Sequence, residues 1–467
     1  MLGDGELRNE FAAADLGDRR RTHRLLQMVT TLGRDPSLSF PKAMGTDAAL
    51  EGTYRLLNNP AVTANNVLEP HHRATVERVA QATAVVVAHD TTSVSFNGEG
   101  TRSGLGPLTN GGQGLFAHVS LAVMPDSRLP LGVMALRTWV RTGKKPKKRP
   151  SNRGLDPDRE SKRWFDQVAV VESRMPKAKR AIHVMDREGD TYELLSQMSE
   201  HHFGFVVRSA HDRRVLGEHG HLSEVVLAAE FVCERQVPLC RRARSKSPKT
   251  RKIHPPRNTR IARLAFCASH IEFERPRYAL RTYPERISVN VVHVRELDVS
   301  EGEKAVEWTL FTTEPICTAE EILRVVDLYR SRWTIEEFFK ALKTGCSFEE
   351  RQLESRHALE NALAIFLPIA WRLLTLRSLS RANPDAQADL ALTTTQLEVL
   401  RAMATRTKRN LSPAPTIEEA LLAIAALGGH IKNNGTPGWQ VLARGYHDLL
   451  LLELGWLAAR PKDAINH

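Results

Sequence analysis

Tyr329–Lys343 reads YRSRWTIEEFFKALK, and the organisation of the chain can be worked out from it. Taken as one helix turning roughly 100° per residue from Tyr329, Arg332 falls near 300°, Glu336 near 340°, Lys340 near 20° and Lys343 near 320°. Five polar side chains then share a stripe about 80° wide, and Ile335, Phe338, Phe339 and Leu342 take a separate apolar face. An ordinary amphipathic helix with a solvated side has the same pattern. Here, though, the stripe sets one acid among three cations and a tyrosine, with Trp333 beside them. Cations and aromatics suit phosphate and base contact, and the acid suits a metal.

Upstream, Ala84–Ala88 (AVVVA) is a β-branched run expected to stop at His89-Asp90. Leu115–Met124 and Leu129–Val140 read as two further strands, Ser161–Ser173 as a helix, and Ala181–Met185 as a buried strand ending at Asp186. The order is three strands, a helix and a strand, with an aspartate at the end of the first and the last. A single strand-end aspartate is most often a loop cap or ion-pair partner. Two of them with a helix glutamate make a three-carboxylate site for hard divalent cations. Two such ions roughly 3.5–4 Å apart can activate the attacking oxygen and stabilise the leaving one in phosphodiester cleavage.

Residues 191–317 read as a mostly-β insertion, with strands at Val206-Val207, Phe231-Val232, Ile261–Phe266 and Ile287–Val294. Basic loops occupy 144–149 and 241–260. From Thr318 helices continue to the end. Residues 1–65 read as short helices: Asp18 is an N-cap, Leu25, Val29 and Leu32 recur at helical spacing, and Gly33 is a stop. Arg20, Arg21 and Arg24 lie on the opposite face. A further helix covers Asp47–Asn58, with Tyr54-Arg55 near its end.

Composition sets the bounds. The chain has 467 residues, 42% hydrophobic and 26% charged, which excludes a mostly disordered protein. Lys and Arg exceed Asp and Glu by 66 to 54, a net charge of +12 that favours a polyanionic partner. No secretory h-region is visible, and Ala362–Trp371, interrupted by Pro368, is too short to span a bilayer. Five scattered cysteines fit reduced thiols, so the cytoplasm is the expected compartment. The glycines of 98–106 follow a strand but precede another strand, which argues against a dinucleotide fingerprint.

The chain resembles the D-D-E cut-and-paste transposases of bacterial insertion sequences, in the IS-four group of the transposon-five (Tn five) transposase. The likeness rests on LGDRRRTHRL (16–25), EGTYRLLNNP (51–60), HDTTSVSF (89–96), VMDREGD (184–190), FVVRS (205–209), WTLFTTEP (308–315) and LGGHIKNN (427–434). It rests most of all on the Y-x₂-R-x₃-E-x₆-K spacing of Tyr329, Arg332, Glu336 and Lys343, which selects Glu336 over Glu337.

The resemblance implies an α/β protein. An RNase H-like catalytic core with the β-rich insertion would occupy 69–375. An N-terminal helical transposon-end-binding domain would precede it at 1–68, and a C-terminal helical dimerisation region would follow at 376–467. Asp90, Asp186 and Glu336 would be the catalytic, metal-binding acids, holding Mg²⁺ or Mn²⁺ as two ions per site. Tyr329, Arg332, Lys340 and Lys343 would grip phosphates, Trp308 would stack a flipped base, and Arg208 would touch the backbone. Arg20, Arg21, Arg24, Tyr54 and Arg55 would read the inverted terminal repeat. The partners are then transposon-end DNA, target DNA and a second copy of the chain, acting at the bacterial nucleoid. Two other readings are open: a stand-alone two-metal nuclease, and a non-catalytic DNA-binding regulator.

Overall fold

The computed structural model describes residues 4–34, 36–96, 102–109, 111–141, 160–239, 241–242, 255–299, 303–382, 384–431 and 437–459. The chain begins with helices α1 (Asp4–Ala12), α2 (Arg19–Arg34), α3 (Phe40–Met44), α4 (Asp47–Leu57) and α5 (Ala64–Gln81). Asp18 caps α2: its Oδ1 accepts from the Arg20 N–H at 2.8 Å. Leu25, Val29 and Leu32 are all fully buried, as their spacing requires. Gly33 does not stop α2, which runs one residue further.

Strands β1 (Val85–Ser95), β2 (Gly106–Pro107), β3 (Gln113–Val123) and β4 (Pro130–Trp139) follow, then α6 (Glu160–Arg174), β5 (Ala181–Met185), α7 (Tyr192–Glu200) and β6 (Gly204–Arg208). Next come α8 (Leu222–Ala228), β7 (Cys233–Leu239), β8 (Arg260–Glu274), β9 (Arg286–Leu297) and β10 (Glu307–Thr312). The helices α9 (Ala319–Ser331), α10 (Trp333–Lys340), α11 (Arg356–Ala382), α12 (Thr394–Ala402), α13 (Ala404–Thr407), α14 (Ile417–Leu427) and α15 (Trp439–Ala459) complete the described chain.

The described strands form one sheet, ordered β2-β3-β1-β5-β6-β10-β9-β8-β7, with β4 also pairing β3. β1, β3 and β4 are antiparallel neighbours, while β1, β5 and β6 run parallel. Side chains alternate across such a sheet. Val85 and Val87 therefore pack on the α6 side with Val171, and Val86 packs on the α9 side with Val325. By the same alternation Asp90 faces the α9–α10 side and His89 the α6 side.

Several expectations change. β1 does not stop at His89-Asp90; β3 keeps pairing with it as far as Ser95↔Gly114. Its pairing with β5, however, ends at His89↔Met185. The two aspartates therefore sit just past the last paired residues of adjacent strands. Val206-Val207 is not part of a separate insertion, because β6 pairs with β5 and β10 closes on β6. The β7–β9 meander extends the same sheet. Phe231-Val232 lies before β7 and is exposed. The basic loop 144–149 and most of 241–260 lie outside the described residues.

The helix drawn through Tyr329–Lys343 breaks at Arg332, the junction of α9 and α10, and widens to a π-turn at Ala341–Gly345. The expected boundary at 68/69 falls inside α5, and that at 375/376 inside α11. The N-terminal helices have no core of their own: Leu25, Val29, Leu57 and Val67 share one cluster with Phe338 and Phe366. By length and composition Arg356–Arg381 in α11 could cross a membrane, contrary to the reading of its apolar run as too short. It is the central core helix, and 89% of its apolar window is buried inside the protein.

Candidate active site

Asp90 enters the site from β1 and Asp186 from the end of β5. The backbone N–H of Glu188 donates to Asp186 Oδ1 at 2.8 Å, so the aspartate caps the short helical turn Arg187–Gly189. Glu336 stands on the first turn of α10. Arg332, at the α9–α10 break, donates to Asp90 Oδ2 at 3.1 Å and to Glu336 Oε1 at 2.5 Å. It is buried, and its charge is held by those carboxylates against the cost of burial. Burial pushes the Asp90 carboxyl up to about 7; Arg332 opposes the rise, and the charges of Asp186 and Glu336 add to it. Both other acids therefore lie within electrostatic reach of Asp90.

A metal here would be held by oxygen atoms alone, the donor set hard divalent cations prefer. As the side chains stand, no three His, Cys, Asp or Glu among the described residues are grouped to hold an ion. The Arg332 guanidinium fills the space between Asp90 and Glu336. Turning it outward would free both carboxylates, so the residues fit a metal once Arg332 has a different anion to bind.

The rest of the stripe divides. Lys343 donates to the Ser93 carbonyl at 2.5 Å and pairs with Glu349 at 3.3 Å, beside β1. Lys340 is exposed. Tyr329 is buried under Trp308, with ring centres 5.6 Å apart, and Arg208 lies 6.0 Å over the same tryptophan. Trp333 is 45% exposed, with the Arg332 guanidinium 5.7 Å from its ring.

The N-terminal residues are not gathered on one open face. Arg20 is 93% exposed and pairs with Asp18. Arg21 turns back to the Leu16 carbonyl at 2.8 Å. Arg24 lies across Gly52, where a Cβ would stand 2.9 Å from its guanidinium carbon, so this glycine lets α2 and α4 meet. Tyr54 packs edge-on to Phe40, and the exposed Arg55 pairs with Glu51 at 3.4 Å.

Two features were missed. Asp190 is buried with Arg213: Oδ1 accepts from Arg213 Nε at 3.0 Å, and Oδ2 accepts the N–H groups of Ala210 and His211 at 2.6 and 3.1 Å. This ties the turn after Asp186 to the loop after β6. Glu349 accepts from the Ser95 N–H at 2.8 Å and steadies Lys343. No local pattern signals either, because the partners lie far apart in sequence.

Residues 83–369 match the family described as "Transposase DDE domain", and residues 6–62 match "Transposase DNA-binding". The first match covers more than half of the chain. The chain belongs to the DDE transposases. It is thus an enzyme that acts on DNA, and DDE transposases work with divalent metal ions. Among solved structures, similarity is found to a cryo-EM structure of piggyBac transposase in a synaptic complex with hairpin DNA. That match covers 95% of this chain and 74% of the other, at 9% identity and a TM-score of 0.37. A score that low does not establish a shared fold.

Proposed function

We propose that this DDE transposase is a cut-and-paste enzyme of the IS-four group, similar to the transposon-five transposase, with Asp90, Asp186 and Glu336 as its catalytic acids. The observation that carries this is the Arg332 bridge from Asp90 to Glu336, next to the strand end that bears Asp186. The antiparallel β4-β3-β1 group beside the parallel β1-β5-β6 group supports an RNase H-like core. The N-terminal helices would bind the inverted repeats, and the C-terminal helices would pair two copies of the chain. The setting would be a bacterial nucleoid.

Mg²⁺ or Mn²⁺, as two ions on the three acids, would activate the attacking oxygen and offset charge on the scissile phosphate. The chain's own side chains do the positioning. An incoming phosphate gives Arg332 a partner other than the carboxylates. Lys343, held at the edge of β1, lies ready for a second phosphate, and Lys340 for a third. Trp308, backed by Tyr329 and Arg208, offers a flat surface for a displaced base. The reaction then runs by hydrolysis of one strand to a 3′-OH, attack of that hydroxyl on the opposite strand to form a hairpin, reopening by water, and attack of the 3′ ends on target DNA. No covalent enzyme intermediate is required.

The test uses end-labelled duplex carrying the element's terminal repeat, with Mg²⁺ and a target plasmid. Wild type is expected to give nicked, hairpin and strand-transfer products in turn. Asp186→Ala is expected to bind the duplex and produce none of them. Full cleavage by that variant refutes the assignment of acids. Wild type that binds but never nicks is a regulator, and one that cleaves without strand transfer is a nuclease.

A further inference from the structure

A cavity of about 580 Å³ opens on the α6 side of the sheet, bordered by Arg187 and Glu188 of the turn that follows Asp186. It lies across the sheet from Arg332 and from the Trp308–Tyr329 pair, because its β1 and β3 residues alternate to the face opposite Asp90. Two guanidiniums are built into its wall. Arg141 lies 4.3 Å over the Phe116 ring, Phe116 stacks on Trp139 at 5.5 Å and 17°, and Arg163 lies 4.6 Å over Trp139. Cations seated on aromatic rings are held in place before any ligand arrives. Arg187 adds a third positive charge. The carboxylates of Glu188 and Asp190 also reach this wall; Arg213 neutralises that of Asp190, which leaves Glu188 against the three arginines.

Among the buried residues of the lining is His118, only 1% exposed. Its Nδ1 is engaged with the Thr91 hydroxyl at 2.8 Å, and its ring meets the Trp164 ring at 4.6 Å. Its Nε2 is buried without a hydrogen-bond partner. Native proteins seldom leave such an atom unpaired, because the cost of stripping its water is not recovered. Burial holds the ring neutral by pushing its pKa down to about 3. It therefore offers a hydrogen bond and not a charge.

We propose that this cavity takes an unpaired nucleotide of DNA next to the scissile phosphate, with Arg141, Arg163 and Arg187 on its phosphate and His118 Nε2 on the edge of its base. Arginine suits phosphate oxygens because its planar fork donates two hydrogen bonds at once. A base lifted out of its stack needs apolar walls and a partner for its edge, and Phe116, Trp139 and His118 supply both. The site gives the strand a seat on the far side of the sheet edge from Lys343, so DNA would be held on both sides of the acids. This deepens the cleavage reading above and rests on it.

The test is fluorescence polarisation with three duplexes: one blunt, one with a short single-stranded extension, and one with the same extension lacking its bases. Wild type is expected to bind the base-bearing extension about tenfold more tightly than the blunt duplex, with the abasic one between. R141Q/R163Q should lose the gain from both extensions, measured against its own affinity for the blunt duplex. H118F should lose only the difference between base-bearing and abasic strands. Wild type indifferent to the extension overturns the inference alone, as does a double variant weakened equally on all three duplexes. Wild type that binds none of them overturns the DNA reading with it.

Discussion

Replacing Asp190 by Asn keeps the shape of a buried side chain and removes its charge. In the native protein that carboxylate accepts from Arg213 on one oxygen and from two backbone N–H groups on the other. Arg213 also donates to the Asp190 carbonyl at 2.8 Å. Both side chains are almost fully buried. An Asn can present its oxygen to the arginine or to the backbone pair, and its NH₂ must then face a donor. Stranding the Arg213 cation costs about 3–5 kcal/mol. The whole native state is worth only about 5–15 kcal/mol, so the loss is a large share of it. Urea denaturation at neutral pH, followed by tryptophan fluorescence, should show the midpoint of D190N falling with little change in slope. D190L/R213M, which removes both charges, should recover to within about 2 kcal/mol of wild type. A D190N loss below about 1 kcal/mol, or a double variant no better than the single one, would refute the reasoning. The same change loosens the turn that begins at Asp186, so cleavage should fall further than duplex binding.

Two more outcomes follow from named contacts. Asp90 titrates at about 7, raised chiefly by burial, against about 3.9 in an unfolded chain. The native state thus keeps a proton that the unfolded state has released. The stabilisation is complete below about pH 4 and lost as pH rises through 7, up to about 4 kcal/mol. The metal-free wild type should lose stability across that range relative to Asp90→Asn, in urea titrations at stepped pH; the opposite slope counts against it. Gly445 on α15 lies so close to α14 that a Cβ would stand 1.7 Å from the Ile424 carbonyl oxygen. Gly445→Ala should force the two helices apart at a cost of about 1–3 kcal/mol, read as faster amide exchange in α14 and α15. Unchanged exchange would show that the helices give way freely.

The sequence by itself determined most of the elements and the residue types they carry. The valine run of β1, the Asp18 cap, the Leu25–Val29–Leu32 stripe and the Tyr329–Arg332–Glu336–Lys343 spacing are local patterns, set by backbone propensity and side-chain period. They placed strands, helices and three acids near their observed positions. Only the tertiary structure decided what those acids face. Whether Asp90 stands beside Asp186 depends on where β5 stops against β1, at the His89↔Met185 pair, far along the chain. Arg332 joins Asp90 to Glu336 because α9 breaks there, and that break is not written in the amphipathic pattern. Tyr329 reads as part of a polar face and is instead buried, and Arg24 lies across Gly52 of α4, because exposure is settled by what packs on a helix. Asp190 finds Arg213 and Glu349 finds Lys343 for the same reason: an ion pair needs proximity in space, and proximity is a property of the folded chain.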